Sequence, residues 1–327
     1  MIAIKYPLLC PNNAISFKYG IEVLVLMKVL VTGGSGLLGS AVAHHFKDYH
    51  DVTSTYTTHK VEIKGCNAVF MDITDSSSVS SMIRKIKPDV VVHTAALVGV
   101  GICEKDPELA EKVNVQGTKN VVEECKKSNS KLVYISTDYI FNGKKENYTE
   151  EDEPSPINVY GKTKYEGELL INAQKDAIIR TSIYGWNIVK EKRSFSTWII
   201  DDLRNKKQIN IFMDNMNSMM LVNNLAEALK EFIDKDMSGI MNLASADKLS
   251  KYDFAIKLAE IFKLDKSLIN PIRNDQAPGS DKRPLDVSLS ISKAKKQLKT
   301  KLLNAEESLS KLKKLEQDEY LKNFKVM

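Results

Sequence analysis

The chain has little of what would staple or anchor a fold. Its 327 residues include four cysteines, Cys10, Cys66, Cys103 and Cys125, which are widely spaced and form no C-x-x-C pair. That argues against a disulfide framework and against a cysteine metal site, and no metal ligand set is expected; the reducing cytoplasm is the compartment that fits. No apolar stretch approaches membrane-spanning length once Lys28 is counted as an interruption, so no membrane association is expected. Basic charge is also scarce in concentrated form. The net charge of +5 is spread along the chain apart from lysine-rich patches near 293–314, which argues against a nucleic-acid partner. There is no internal repeat and no low-complexity linker. An apolar fraction of 43% with 27% charged residues is ordinary for a globular protein, and the length suffices for one large or two modest domains.

The first 26 residues lack the uninterrupted apolar core of a signal peptide, since Lys5, Pro7 and Pro11 break it. Met27-Lys28 is where a strand-first nucleotide domain would begin. Residues 1–26 are therefore expected to be a leader outside the native fold, with a real extra strand at Ile21–Leu26 as the alternative.

Lys28–Val31 reads as a buried strand, and Gly33, Gly36 and Gly39 follow in a G-x-x-G-x-x-G spacing before an apolar helix near Leu37. Glycine suits a backbone that turns sharply and approaches a pyrophosphate closely, and the helix start offers free N–H groups to that anion. Gly33, Ser35, Gly36, Leu37, Leu38 and Gly39 are the expected phosphate turn. Strands and helices then alternate, with further strands at Asp51–Tyr56, Ala68–Met71, Asp89–His93 and Lys131–Ser136 and a helix over Pro107–Ser128. This predicts an α/β Rossmann fold, a doubly wound parallel sheet. The second strand ends in Tyr56-Thr57-Thr58-His59-Lys60 without the carboxylate that would hold ribose hydroxyls. That favours NADPH over NADH, with Lys60 facing a 2′-phosphate. Asp72, followed by Ile73, either meets the adenine or caps the next helix. Ala95 and Ala96 let the chain pass close to the cofactor, while His93 is expected to be a packed residue. Asn114 is expected to shape the site by structural hydrogen bonds.

Tyr160 and Lys164 stand four apart, which on a helix sets both on one face. An ammonium beside a phenol favours the phenolate, useful where a carbonyl and an alcohol interconvert. Ser136, Thr137 and Asp138 emerge at the carboxyl edge of the sheet, where ligands bind in open α/β folds. Downstream, Arg193–Arg204, Leu225–Phe232 and Tyr252–Phe262 read as amphipathic helices and Ile209–Phe212 as a strand. Asn270–Pro284 reads as a long loop and Leu302–Asn323 as a terminal helix. The expected division is a Rossmann body over 27–180, rejoined by 209–232, and a smaller interleaved substrate-binding lobe from 181–327.

The runs Leu132–Gly143, Val159–Lys164 and Arg180–Gly185 resemble the extended short-chain dehydrogenase/reductase superfamily, and within it the dTDP-4-dehydrorhamnose reductase family. Asp106–Gly117, Gly239–Ala244 and Arg283–Leu289 extend the resemblance from Met27 to about Leu312. It implies reduction of the C4 keto group of a nucleotide-diphospho-6-deoxy-4-keto sugar, with Thr137 holding the carbonyl oxygen and Tyr160 delivering the proton. Lys164 would tune the phenol and hold the nicotinamide ribose, Tyr139 would line the sugar pocket, and Arg283 would meet the substrate diphosphate. A homodimer is compatible with it. Ile183 stands where the family has a tryptophan, Leu97–Gly101 is apolar, and Met219 and Met220 replace a proline and a threonine. The resemblance thus implies intact proton-transfer chemistry beside an altered pocket. Two other readings stay open: a nucleotide-sugar epimerase that retains NAD, and a non-catalytic protein like the regulatory subunits of methionine adenosyltransferase.

Overall fold

Seven short strands, each nearly continuous in Val, Ile and Leu or in small polar residues, assemble into one parallel sheet in the computed structural model. It describes residues 15–18, 21–24, 26–276 and 282–327. In chain order the strands are β1 (Lys28–Thr32), β2 (Asp51–Tyr56), β3 (Asn67–Phe70), β4 (Val90–His93), β5 (Lys131–Thr137), β6 (Ala177–Thr181) and β7 (Gly239–Asn242). Their spatial order is β7-β6-β5-β4-β1-β2-β3, with every ladder parallel. The order reverses between β1 and β4, which opens a crevice at the carboxyl ends of those strands, the place where open α/β sheets take ligands. Val29, Leu30, Val31 and Val90–Val92 are buried, as expected for strands covered on both faces.

Helices α1 (Leu37–Phe46), α2 (Ser76–Ile86), α3 (Gly117–Ser128), α4 (Val159–Leu169), α5 (Phe195–Arg204), α6 (Val222–Asp234), α7 (Lys251–Phe262) and α8 (Ala305–Gln317) complete the chain's main elements. α6 returns to the body, where Leu225, Leu229 and Phe232 share a core with Ala41, Val42 and Phe46 of α1. A second core, built from Tyr184, Ile199, Leu203, Phe254, Leu258 and Leu309, belongs to the smaller lobe.

Three elements differ from the sequence expectation. The strand Ile209–Phe212 does not join the main sheet; it pairs in parallel with Ile269–Ile272, so the supposed loop after Asn270 begins in a strand. Pro271 is tolerated there because a two-stranded ladder is all edge and leaves its missing N–H harmless. Residues 277–281 of that segment lie outside the described residues. The helix over Pro107–Ser128 is interrupted by a π-turn at Lys112–Gln116. The terminal helix begins at Ala305, where Asn304 and Glu307 form a capping box, and ends before Glu319, whose φ is +54°. The chain then closes with Phe324–Val326 paired antiparallel to Val61–Ile63. Most of the leader lies outside the described residues. Within it, Ile15–Lys18 and Ile21–Leu24 pair antiparallel with each other, apart from the seven-stranded sheet.

Candidate active site

The glycine turn is shaped by close backbone approach. Gly33 has φ +68°, and a Cβ there would lie 2.9 Å from the Ala95 backbone. A Cβ on Gly39 would lie 2.3 Å from the Gly33 carbonyl oxygen, so only glycine lets α1 press onto the turn. Gly36 caps α1 without any side-chain hydrogen bond, and its own N–H donates to the Gly33 carbonyl at 2.8 Å. The first-turn amides of Leu37 and Leu38 thus face outward, beside Ser35, as an anion cradle. Across the crevice, the Thr32 hydroxyl accepts from the Thr94 and Ala95 amides at 3.1 and 3.2 Å, which brings Ala95 and Ala96 against the turn. His93 is buried between Thr32 and Thr118, at 2.7 and 3.1 Å, and burial drives its pKa down to about 3. It is a packed, neutral imidazole.

Asp72 does not cap the next helix; Asp75 does, accepting from the Ser77 amide. One Asp72 carboxylate oxygen holds the amide and hydroxyl of Thr74, both at 2.9 Å. The Ile73 side chain is buried in the core and its carbonyl accepts from Asn120 at 2.8 Å, so that side chain does not face the crevice. Lys60 bonds Glu62 at 2.8 Å.

The reactive face is formed where α4 meets the end of β5. Asn158 caps α4 by accepting from the Gly161 amide at 2.7 Å and reaches the smaller lobe through the Lys282 carbonyl at 2.9 Å. A Cβ at Gly161 would lie 2.0 Å from the Tyr139 carbonyl oxygen. This contact brings Tyr160 beside the Thr137 hydroxyl, close enough to influence its titration. Thr137 is buried at the very end of β5. Its oxygen also accepts from the Tyr139 amide at 3.2 Å, and its proton goes to Asp138 at 3.0 Å. Tyr139 packs edge-on to Tyr160, with ring centroids 6.2 Å apart, and its hydroxyl accepts from Lys251 at 3.3 Å.

The spacing predicts a phenol lowered by its lysine, and here the structure differs. Burial dominates both groups. It raises Tyr160 well above the ordinary phenol range, with the Thr137 hydroxyl pulling the other way. It lowers Lys164 to about 7, opposed by the charge of Glu168 one turn further on. The Lys164 ammonium lies 4.0 Å over the centre of the Tyr134 ring, a cation–π contact. In this state Tyr160 holds its proton firmly. Beneath them, Arg180 and Glu168 form a buried ion pair, with the guanidinium donating to both carboxylate oxygens.

Asn114 sits on the π-turn and is saturated: it accepts from the Leu97 amide and donates to the Leu97 carbonyl and to Thr163. It therefore fastens the apolar Leu97–Gly101 stretch to α4, which accounts for the π-turn at this point. Arg283 stands in the smaller lobe, its guanidinium 6.0 Å from the Phe212 ring centre, and forms no ion pair among the described residues.

Sequence reasoning set Asp138 at the ligand-binding edge without a role and missed two further side chains of this cluster, Asn217 and Lys251. Asp138 is buried, with one oxygen on Thr137 and the other accepting from Asn217 at 2.9 Å. Lys251 opens α7 from the smaller lobe. Adjacency to Thr137 was the available signal for Asp138. Nothing local marks Asn217 or Lys251, since the fold brings them from 79 and 112 residues away. Ser136, also at this edge, has a buried hydroxyl with no hydrogen-bond partner.

Comparison with known proteins agrees with this architecture. Residues 27–317 match the family described as RmlD substrate binding domain. Methionine adenosyltransferase 2 subunit beta of Mus musculus is 32% identical over 278 residues, 81% of this chain and 81% of that protein. The probable low-salt glycan biosynthesis reductase Agl14 of Haloferax volcanii is 31% identical over 249 residues, 74% of this chain and 83% of that protein. Among solved structures, a hypothetical dTDP-4-dehydrorhamnose reductase from Sulfolobus tokodaii superposes with a TM-score of 0.76 at 33% identity, covering 85% of this chain and 97% of that one. The dTDP-4-dehydrorhamnose reductase of Bacillus anthracis, in complex with NADP, superposes with a TM-score of 0.74 at 26% identity, covering 88% and 98%. With its glycine turn and Tyr160–Lys164 helix, and a match over 27–317, this chain belongs to the RmlD substrate binding domain family, within the dTDP-4-dehydrorhamnose reductase family of the extended short-chain dehydrogenase/reductase superfamily.

Proposed function

We propose that the protein reduces the C4 keto group of a nucleotide-diphospho-6-deoxy-4-keto sugar, with dTDP-4-dehydrorhamnose as substrate and dTDP-L-rhamnose as product. The observation that carries this reading is the approach of Tyr160 to Thr137 at the carboxyl edge of the sheet, with Lys164 one helical turn away. Burial keeps Tyr160 protonated at neutral pH, the form a carbonyl reduction needs. Tyr160 would give its proton to the nascent alkoxide, and Thr137 would orient that oxygen.

The residues of the crevice fit a nicotinamide dinucleotide. The uncapped start of α1 would take the pyrophosphate, the space left by absent Cβ atoms at Gly33 and Gly39 would admit its backbone-close path, and Lys164 would hold the ribose. When bound, the dinucleotide supplies the hydride. NADPH is the proposed form, with NADH as the alternative, because β2 ends without a carboxylate. Tyr139 and Arg283 would contact the sugar and the diphosphate; a planar guanidinium without an acidic partner suits phosphate oxygens.

The test is absorbance-monitored oxidation of NADPH and NADH with enzymatically generated dTDP-4-dehydrorhamnose. Tyr160→Phe should abolish turnover and leave NADPH binding nearly unchanged; retention of most activity would sink the mechanism. The likeness to methionine adenosyltransferase 2 subunit beta motivates a second reading as a regulatory subunit. Tight NADPH binding with no turnover on any 4-keto sugar, plus stimulation of a methionine adenosyltransferase, would favour it.

A further inference from the structure

A threonine hydroxyl carries one proton and can donate only once. In this structure Thr137 points that proton toward Asp138, 3.0 Å away, while its oxygen accepts from the Tyr139 amide at 3.2 Å. A charged Asp138 has no hydrogen of its own, so it must take the threonine's. As long as it does, Thr137 has nothing left to donate to a substrate oxygen.

Asp138 is 2% exposed and has no cation within ion-pair distance among the described residues. Its second oxygen accepts from Asn217 at 2.9 Å. The ionisable groups facing this cluster are Tyr139 on the same turn, Tyr160 on α4, Cys103 on the short helix Val100–Lys105, and Lys251 at the start of α7. Lys251 is the one cation among them, and it is held by the Tyr139 hydroxyl.

We propose that Asp138 is a positioning residue acting through Thr137: when charged it captures the threonine proton, and when protonated it releases that hydroxyl to the substrate oxygen. The inference rests on Thr137 and Tyr160 being the proton-transfer pair proposed above. Protonated Asp138 turns its O–H toward the Thr137 oxygen, and the Thr137 proton swings to the carbonyl, to which Tyr160 also donates. Burial brings Asp138 to about 6, against the influence of Asn217, Thr137 and Ser182 and the charge of Lys251, so the two states interchange close to neutral pH. Loss of one preorganised donor to a developing oxyanion costs on the order of 10²–10³ in kcat, which sets the ceiling of the effect.

The experiment is a pH profile of kcat on the full chain for wild type, Asp138→Asn and Asn217→Ala, with a carbon-13 titration of the aspartate carboxyls and of the Tyr160 ring in the protein without substrate. Wild-type kcat should fall at least tenfold as pH rises through the Asp138 transition. In Asp138→Asn the amide oxygen meets Asn217 and the NH₂ donates to Thr137, so the released state is locked and the fall disappears. Asn217→Ala removes a bond that favours the carboxylate, so the fall should move to higher pH. In the protein without substrate, one carboxyl signal absent from Asp138→Asn should titrate near 6, and the Tyr160 ring signal should follow it. An equal loss at every pH in Asp138→Asn, or a carboxyl already ionised by about pH 4, would overturn the inference. If wild type reduces no 4-keto sugar, the functional reading fails while the two carbon-13 signals still decide this one.

Discussion

Removing the Arg180 guanidinium should expose how the floor of the active site is held. Arg180 and Glu168 are 2% and 4% exposed, and three hydrogen bonds of 2.9–3.3 Å join them. Arg180 also donates to the Glu150 carbonyl at 3.3 Å and lies 5.4 Å from the Phe141 ring centre. Arg180→Leu keeps much of the packing and strands the Glu168 carboxylate in the core. Breaking a buried pair from one side costs about 3–5 kcal/mol, a large part of a typical domain's stability. At about 2–4 °C per kcal/mol for chains of this size class, Tm should fall by roughly 6–20 °C. Glu168, no longer paired with Arg180, should then raise the titration of Lys164 further above about 7. Urea unfolding of wild type, both single variants and Arg180→Leu/Glu168→Leu closes a double-mutant cycle, in which the double variant should recover most of the loss. A single-variant cost under about 1 kcal/mol, or a double variant no better than the single, would refute the view of this pair as a mutually dependent buried charge.

Two further outcomes follow from the buried groups. The folded-state pKa of Lys164 lies near 7, below the ordinary lysine value of 10.5, so the unfolded chain binds more protons between those limits and stability should rise with pH across that window. Lys164→Met should remove that slope, stabilise the protein below about pH 7 in urea titrations, and abolish reduction; a slope unchanged in the variant would contradict the assignment. His93 behaves likewise at lower pH: with a folded value of about 3 against 6.5 unfolded, it contributes stability above pH 6.5 that is lost as pH falls through that window. His93→Gln should flatten the dependence of urea stability on pH between those values, and an undiminished acid limb would show that other groups cause it.

Much of the fold was legible because local pattern and tertiary demand coincide in it. Asp51–Tyr56 and Ile209–Phe212 have the bounds their apolar runs suggest, since turn residues close them at both ends. Partnership was not legible: nothing in Ile209–Phe212 says that Ile269–Ile272, rather than the main sheet, will receive it. The π-turn at Lys112–Gln116 answers to Leu97 and Thr163, which are remote in sequence. Glycine spacing and the Tyr160–Lys164 interval located the site because each is a local geometric requirement. Spacing conveys proximity and says nothing about desolvation, which is the largest influence on both Tyr160 and Lys164.

Buried ionisable groups are handled in different ways across this fold. Away from the reactive edge, Glu168 and Arg180 satisfy each other, and Asn114 uses its oxygen and its amide on Leu97 and Thr163. At the reactive edge the buried groups include ionisable ones without an opposite charge beside them. Lys164 is buried against a ring rather than a carboxylate, Asp138 is buried without a cation, and the Ser136 hydroxyl has no partner. Each of these costs stability, and each could be replaced by Met, Asn or Ala with little change in volume. A surface that serves only to bind another protein gains nothing from carrying them at the floor of a crevice. A site that moves a proton needs groups whose charge can change and whose partners arrive with the substrate. Partnerless buried polar atoms also occur away from the site, at Asn187, Asn223 and Asn242, so it is the buried ionisable groups Asp138 and Lys164 beside Thr137 and Tyr160 that favour the proposed reduction over a purely regulatory task.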